Sequence, residues 1–108
     1  MRVYISQPWH GLTQEEIERR RNKVEETLLA YGHTIAPVVK TDEPLKDRLD
    51  SLFRLGVGIM TLSSCDAIYM MAGWEDARAC RLEHAAAEEY GIQRLYEENG
   101  DLIDRRGA

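Results

Sequence analysis

One carboxylate, Glu83, lies on an otherwise apolar side of a predicted helix and is the side chain best placed to do chemistry. The other residues at helical spacing on that side are Ala79, Ala86, Ala87 and Tyr90. Burying a carboxylate against an apolar surface costs free energy, so its presence there points to a role for the charge. Such a carboxylate can act as a nucleophile that forms an ester, or it can stabilise a positively charged centre.

The segment ahead of this helix has the pattern of a strand that ends at a ligand site. The apolar run 67–71 predicts a buried strand, and Gly73-Trp74-Glu75-Asp76 predicts a turn that leads into the helix. In open α/β sheets, ligands bind where strands end and helices begin. We therefore expect a site at the loop 73–78, with Glu83 directly behind it.

Strands and helices are predicted to alternate along the whole chain. Runs bounded by turn residues predict four strands, at 1–5, 33–39, 66–71 and 92–96. Amphipathic segments between them predict three helices, at 13–32, 46–62 and 75–91. Thr13 has the position of an N-cap, with Glu16 placed for a capping box. The turn signal Asn99-Gly100 predicts a short C-terminal hairpin arm.

This order and its short connections predict a three-layer α/β fold of the flavodoxin or Rossmann type. The four strands would form a parallel sheet in the order 2-1-3-4, with helices on both faces. The point where the strand order reverses then falls between the first and third strands. It would bring the loop 6–11 beside the loop 73–78.

Composition narrows the class of protein. The chain has 108 residues, which predicts a single domain over 1–108. With 14 basic and 19 acidic residues its net charge is -5, which argues against nucleic acid as a partner. The two cysteines, Cys65 and Cys80, form neither a disulfide framework nor a zinc pattern, and we expect no metal. No membrane span or secretory signal is evident, so we expect a cytoplasmic protein.

Two motifs carry a resemblance to a known superfamily. They are Val3-Tyr4-Ile5-Ser6-x-Pro8-x-x-Gly11 near the start and, later, Cys65-Asp66-Ala67-Ile68-Tyr69, Gly73-Trp74-Glu75, Arg78-Ala79-x-x-Leu82-Glu83 and Tyr90-Gly91. Over roughly residues 1–96 the chain resembles nucleoside 2-deoxyribosyltransferase-like proteins. It is most similar to their small phage and bacterial members, which are described as a domain of unknown function.

The resemblance implies a reaction at the sugar of a small-molecule nucleoside or nucleotide, with no cofactor. Glu83 would attack the anomeric carbon, Tyr4 would orient it, and Asp76 would act as acid or base. After the base leaves, water or a second base would resolve the glycosyl-enzyme. Residues of the two loops would bind substrate: Ser6, Gln7, Pro8, Trp9, Gly11, Gly73, Trp74, Glu75 and Arg78. The resemblance also implies a homodimer or a higher homo-oligomer.

Departures from the superfamily pattern motivate competing hypotheses. Gly58 and Ala77 stand where deoxyribosyltransferases carry aspartates, although Asp76 is one residue away from the second position, and Gln7 stands where small relatives have glycine. These differences favour hydrolysis over base exchange. They also motivate a non-catalytic nucleotide-binding protein, one that senses or sequesters a nucleotide in a phage–host setting, and a purely structural oligomer subunit.

Each candidate residue also has a purely structural interpretation. Glu83 would pair with Arg78 or Arg81 on the helix surface, Tyr4 would be a half-buried strand aromatic, and Asp76 would be the N-cap of the third helix. Trp74 would pack in the core, whereas an exposed Trp9 in a loop favours a ligand or subunit contact. For Asp66, at the start of the third strand, we favour the structural interpretation of a residue that satisfies a turn.

Overall fold

The computed structural model of this chain describes residues 1–37, 47–98 and 101–104. Strands and helices alternate from residue 2 to residue 98, as predicted, and one more strand follows. The strands are β1 (Arg2–Ser6), β2 (Thr34–Ile35), β3 (Ala67–Met70), β4 (Gln93–Glu98) and β5 (Asp101–Asp104). The helices are α1 (Gln14–Ala30), α2 (Asp47–Leu62) and α3 (Arg78–Glu89), with a 3-10 turn (Trp74–Asp76) ahead of α3.

The strands form one sheet in the order β2-β1-β3-β4-β5. The first four are parallel, and β5 runs antiparallel to β4. This confirms the predicted α/β class, the 2-1-3-4 order and the C-terminal arm, whose predicted turn at Asn99-Gly100 lies outside the described residues. Ser6 pairs with Met70, so β1 and β3 end at the same level on either side of the switch point.

Alternation along the central strands divides the core between the two faces of the sheet. Val3 and Ile5 of β1 pack with α1 through Val24 and Leu28. On the other face, β3 contributes Ile68 and Met70 to a cluster that takes in buried residues of α2 and α3. All four residues of β3 are buried, which confirms the predicted buried strand and explains its continuously apolar sequence.

The helix ends confirm one local prediction and correct another. Thr13 Oγ1 accepts a hydrogen bond from the Glu16 backbone N–H at 3.1 Å, so Thr13 is the N-cap of α1. Gly32 adopts φ 84° just beyond the helix, as a C-terminal glycine should. The prediction that Asp76 caps the third helix is wrong. The Asp76 N–H bonds the Gly73 carbonyl to close the 3-10 turn, so α3 begins only after Ala77.

The second strand is shorter than predicted within the described residues. The prediction covered 33–39, whereas β2 spans Thr34–Ile35. The Thr34 and Ala36 N–H groups donate to the Met1 and Val3 carbonyls at 2.9 and 2.8 Å, so the nitrogen of residue 37 faces the open edge of the sheet. Pro37, which has no N–H, suits this edge position. The remainder of the predicted strand and the polar loop at 40–44 lie outside the described residues.

Three findings bear on thiols, metals and membranes. Cys65 is half-buried, Cys80 is buried, and both are free thiols. In the part of the chain that the structure describes, no three His, Cys, Asp or Glu side chains come together as a metal site requires. Across the same ranges, no helix combines the length and the apolar character needed to cross a membrane.

Candidate functional site

The carboxylate of Glu83 is buried under α3 and receives a hydrogen bond on each oxygen. The Tyr4 hydroxyl donates to Oε2, and the Ser6 hydroxyl donates to Oε1 at 2.8 Å. Only 5% of the Glu83 surface is exposed. The interpretation of Glu83 as a surface residue paired with Arg78 or Arg81 is therefore wrong.

Strand and helix periodicity bring these three side chains together. Tyr4 and Ser6 are two residues apart on β1, so both hydroxyls lie on the face of the sheet that α3 covers. On α3, Glu83 lies about one turn from Cys80 and from Ala87, and all three are buried against that face. The site is thus built by two regular elements and does not depend on loop conformation.

Helix α2 lies against one side of the site, where Gly58 presents only backbone atoms. A Cβ atom placed on Gly58 would lie 2.5 Å from Glu83 Oε2 and 2.5 Å from the Tyr4 hydroxyl oxygen. Neither distance is one that a real Cβ tolerates, so no other residue fits here without movement. Position 58 therefore has no room for a side chain unless Glu83 or Tyr4 moves.

Burial and hydrogen bonding act in opposite directions on the ionisation of Glu83. Removal from water raises the pKa of the carboxyl, while the hydrogen bonds from Tyr4 and Ser6 act to lower it. Burial, followed by the charge of Glu83, raises the pKa of Tyr4, so the phenol keeps its proton and remains a donor. Burial also raises the pKa of Cys80 to about 11, which leaves the neighbouring thiol protonated and a poor nucleophile at neutral pH.

The loops after β1 and β3 are neighbours, as the switch point predicts. The Met71 N–H donates to the Ser6 carbonyl at 3.1 Å. Pro8 lies beside Gly73, whose φ of 91° is a left-handed conformation that favours glycine. The Gln7 side chain instead donates to the Ile17 carbonyl at 2.8 Å, so it fastens the first loop to α1.

The two tryptophans have different surroundings. Trp9 is 52% exposed in the first loop, where the edge of its ring contacts His10 with centroids 6.2 Å apart. Trp74 is half-buried and stacks on His84, with ring centroids 4.3 Å apart and planes 22° from parallel. The packing interpretation of Trp74 is therefore confirmed, and Trp9 is the tryptophan that offers more surface to a ligand.

His84 belongs to a polar contact that sequence reasoning missed. Its Nε2 lies 2.7 Å from the Tyr96 hydroxyl oxygen on β4, and burial lowers the pKa of His84. Trp74 packs on the same pair. No sequence signal singles out His84, because its partner lies 12 residues further along and on another element.

The remaining predicted residues lie near the strand ends without contacting the carboxylate. Glu75, Asp76 and Arg78 are exposed, and Gly11 forms the first loop's turn with φ 79°. The structure brings Tyr4 and Ser6 to Glu83 but does not hydrogen-bond Asp76 to it. Asp66 has a structural contact, but it joins two strands and not a turn: its Oδ2 accepts a hydrogen bond from the Arg2 N–H of β1 at 2.8 Å.

An open groove of about 400 Å³ lies between α1 and β2, away from these residues. It is lined by Arg21, Glu25, Leu29, Thr34, Ile35, Ala36 and Pro37. Arg21 and Glu25 form a salt bridge at 2.8 Å on its wall and so neutralise each other. None of the predicted site residues contributes to the groove, and we rank the Glu83 site above it because only that site holds a buried charge.

Comparison with known proteins adds one match. A family model described as a domain of unknown function (DUF4406) matches residues 1–96. The match runs from the first residue to Tyr96 of β4, and it includes Tyr4, Ser6, Gly58 and Glu83. No curated protein and no solved structure matches the chain.

Proposed function

The chain belongs to the DUF4406 family, and from its buried carboxylate we propose that it is an N-glycosidase-type enzyme acting on a nucleoside or nucleotide. The observation that carries this proposal is the burial of Glu83 against two neutral hydroxyl donors. A buried carboxylate that relies on neutral donors lowers stability, and groups held at such a cost concentrate at functional sites. The resemblance to nucleoside 2-deoxyribosyltransferase-like proteins, in which the matching glutamate is the nucleophile, supports the same reaction.

In the proposed reaction, a carboxylate oxygen of Glu83 attacks the anomeric carbon of the sugar. The bond between this carbon and the base nitrogen breaks, and the base leaves with the electron pair while an ester to Glu83 forms. Water then adds to the same carbon and releases the carboxylate. Its hydroxyl stays on the sugar, and its proton balances the one that the departing base takes up.

The hydroxyls of Tyr4 and Ser6 give the carboxylate a fixed orientation for this attack. Each holds one oxygen, so the plane of the carboxylate is set before substrate arrives. Both hydrogen bonds also act to lower the pKa of Glu83, which favours the ionised nucleophile that burial disfavours. We propose that Tyr4 and Ser6 act through Glu83 as positioning residues.

The two neighbouring loops supply the remaining parts of the proposed site. Trp9 exposes enough of its ring to stack on a base. Pro8 of the first loop lies beside Gly73 of the second. Asp76, exposed in the 3-10 turn, is the proposed acid or base for the leaving group. The lack of space at Gly58 favours hydrolysis over base exchange, because the aspartate of the deoxyribosyltransferases has no equivalent there.

Base release from a panel of ribo- and deoxyribonucleosides and their 5′-monophosphates tests the proposal. Free base is quantified by chromatography for the wild type, for Glu83→Gln, and for Glu88→Gln, a control at an exposed glutamate on the same helix. We expect Glu83→Gln to lose at least ~10²-fold in rate and Glu88→Gln to match the wild type. If the wild type releases no base from any member of the panel, the enzyme proposal fails.

A second candidate function is nucleotide binding without turnover. The lack of space at Gly58 favours it, because the acid that deoxyribosyltransferases carry at this position has no equivalent in this chain. A thermal-shift screen with the same panel separates the two functions. A ligand at about 100 times its Kd adds roughly 2.7 kcal/mol to the free energy of unfolding. Stabilisation of this size without base release favours binding alone.

A further inference from the structure

Gly58 lies where α2 meets the carboxylate, and its missing side chain is what permits the contact. We propose that Gly58 is a positioning residue, whose bare backbone holds the Tyr4 hydroxyl and Glu83 Oε2 together beneath α2. The proposal deepens the proposed function, since it concerns how the nucleophile of that reaction is held. It assigns a role to a position that sequence reasoning had treated only as a departure from a superfamily pattern.

The contact distances carry the proposal. A Cβ on Gly58 would meet both members of the hydrogen bond, each at 2.5 Å, and would next meet the Tyr4 ring carbon that bears the hydroxyl at 3.4 Å. The backbone of α2 therefore packs on the hydrogen bond itself. A side chain at position 58 would displace at least one of the two atoms that the bond joins.

Comparison with the other glycine of α2 shows that the close contact with the Tyr4–Glu83 hydrogen bond is specific to position 58. Gly56 is exposed, and a Cβ placed on it would meet nothing within 4 Å. Glycine is unfavourable inside a helix because it loses the most backbone entropy on folding. At Gly58 the close approach compensates for that cost. At Gly56 no contact in the described structure does so.

The consequence for the site is restraint from three directions. Tyr4 and Ser6 of β1 hold the two oxygens, α3 supplies the glutamate, and the α2 backbone blocks movement of Tyr4 and Glu83 toward that helix. Cys80 and the positive charge of Arg21 also act on Tyr4. Cys80 stays protonated because burial raises its pKa to about 11. The ionisation of Glu83 should then depend on how closely α2 packs.

The test compares Gly58→Ala with Gly56→Ala, which make the same chemical change on the same helix. The pKa of Glu83 is measured without substrate by NMR of ¹³Cδ-labelled glutamate, with Glu83→Gln assigning the signal. We expect Gly58→Ala to raise the pKa of Glu83, because the hydrogen bond from Tyr4 that lowers it is lost. Gly56→Ala should leave this pKa unchanged and raise the Tm by a few degrees, roughly the value of an alanine in a helix.

A second variant tests whether any loss of Tm in Gly58→Ala comes from the contact with Tyr4 and not from general overpacking. Tyr4→Phe removes one of the two atoms that the new Cβ meets. The double variant Gly58→Ala/Tyr4→Phe should therefore lose less Tm than the two single losses added together. If Gly58→Ala alone does not fold, folding of the double variant supports the proposal, and failure of both to fold overturns it.

An unchanged pKa of Glu83 in Gly58→Ala, with a Tm shift matching that of Gly56→Ala, would also overturn the proposal. None of these readouts uses a substrate. A shifted pKa in a protein that releases no base therefore supports the positioning role while the glycosidase proposal fails. Base release by the wild type, together with an unshifted pKa of Glu83 in Gly58→Ala, supports the glycosidase proposal and overturns the positioning role of Gly58.

Discussion

Replacing Tyr4 with phenylalanine removes one hydroxyl and keeps the ring. The change leaves Glu83 Oε2 without its donor in a site where only 5% of the glutamate is exposed. A hydrogen bond to a charged group contributes about 1.5–3 kcal/mol, and leaving a buried acceptor unpaired incurs a loss of that size. For a domain of this length the expected fall in Tm at pH 8 is about 6–15 °C.

The loss of stability caused by Tyr4→Phe should depend on pH, and the structure gives its direction. Burial raises the pKa of Glu83 above 4.5 in the folded protein. The stability that this raised pKa contributes is therefore fully present below the pKa that Glu83 has in the unfolded chain. It is lost as the pH rises through the folded pKa. Tyr4→Phe raises the folded pKa of Glu83 further, so the variant is most destabilised at high pH, where the carboxylate is ionised, and least at low pH.

Urea denaturation at several pH values between 4 and 8 measures this dependence. Tyr90→Phe is the matched control, because Tyr90 is 85% exposed and its change should stay within about 0.5 kcal/mol at every pH. Two outcomes would refute the reasoning. One is a Tyr4→Phe variant within about 0.5 kcal/mol of the wild type at pH 8. The other is a loss that does not change with pH.

Three further predictions concern single side chains. Glu83→Gln should match or exceed the wild type in free energy of unfolding at pH 8, because it removes a buried charge, and a loss above about 0.5 kcal/mol would contradict this. Cys65 should react with a thiol reagent well before Cys80, whose pKa is raised to about 11 by burial and which is 2% exposed; equal rates would contradict the structure. Thr13→Ala should cost α1 about 1 kcal/mol in urea denaturation, whereas Thr13→Ser should restore most of it.

The elements of the fold could be predicted because their patterns are local. Apolar residues recur with the helical period along 13–32, and the run 67–71 is apolar throughout, so each segment shows which sides are buried. Short connections and right-handed crossovers then limit the strand order to few arrangements. The stripe that contains Glu83 has the same local origin, which is why the sequence alone could single out this carboxylate.

The contacts of Glu83 could not be predicted in the same way. Its two donors lie 79 and 77 residues earlier in the chain, so their approach depends on sheet order and register. The sequence also predicted the wrong N-cap for the third helix. Asp76 belongs to the 3-10 turn that starts after Gly73, and α3 begins only after Ala77. Sequence reasoning treated Ser6 as part of a substrate-binding loop, whereas Ser6 ends β1 and bonds the carboxylate.

Gly58 shows most clearly what belongs to the sequence and what to the tertiary structure. In helix propensity Gly56 and Gly58 are equivalent, since each weakens the same predicted helix. Packing makes them different: one faces open space and the other touches the hydrogen bond between Tyr4 and Glu83. Periodicity along a chain reports which side of an element is buried, but not which atoms of other elements meet it there. Those meetings arise only when the sheet and its helices assemble.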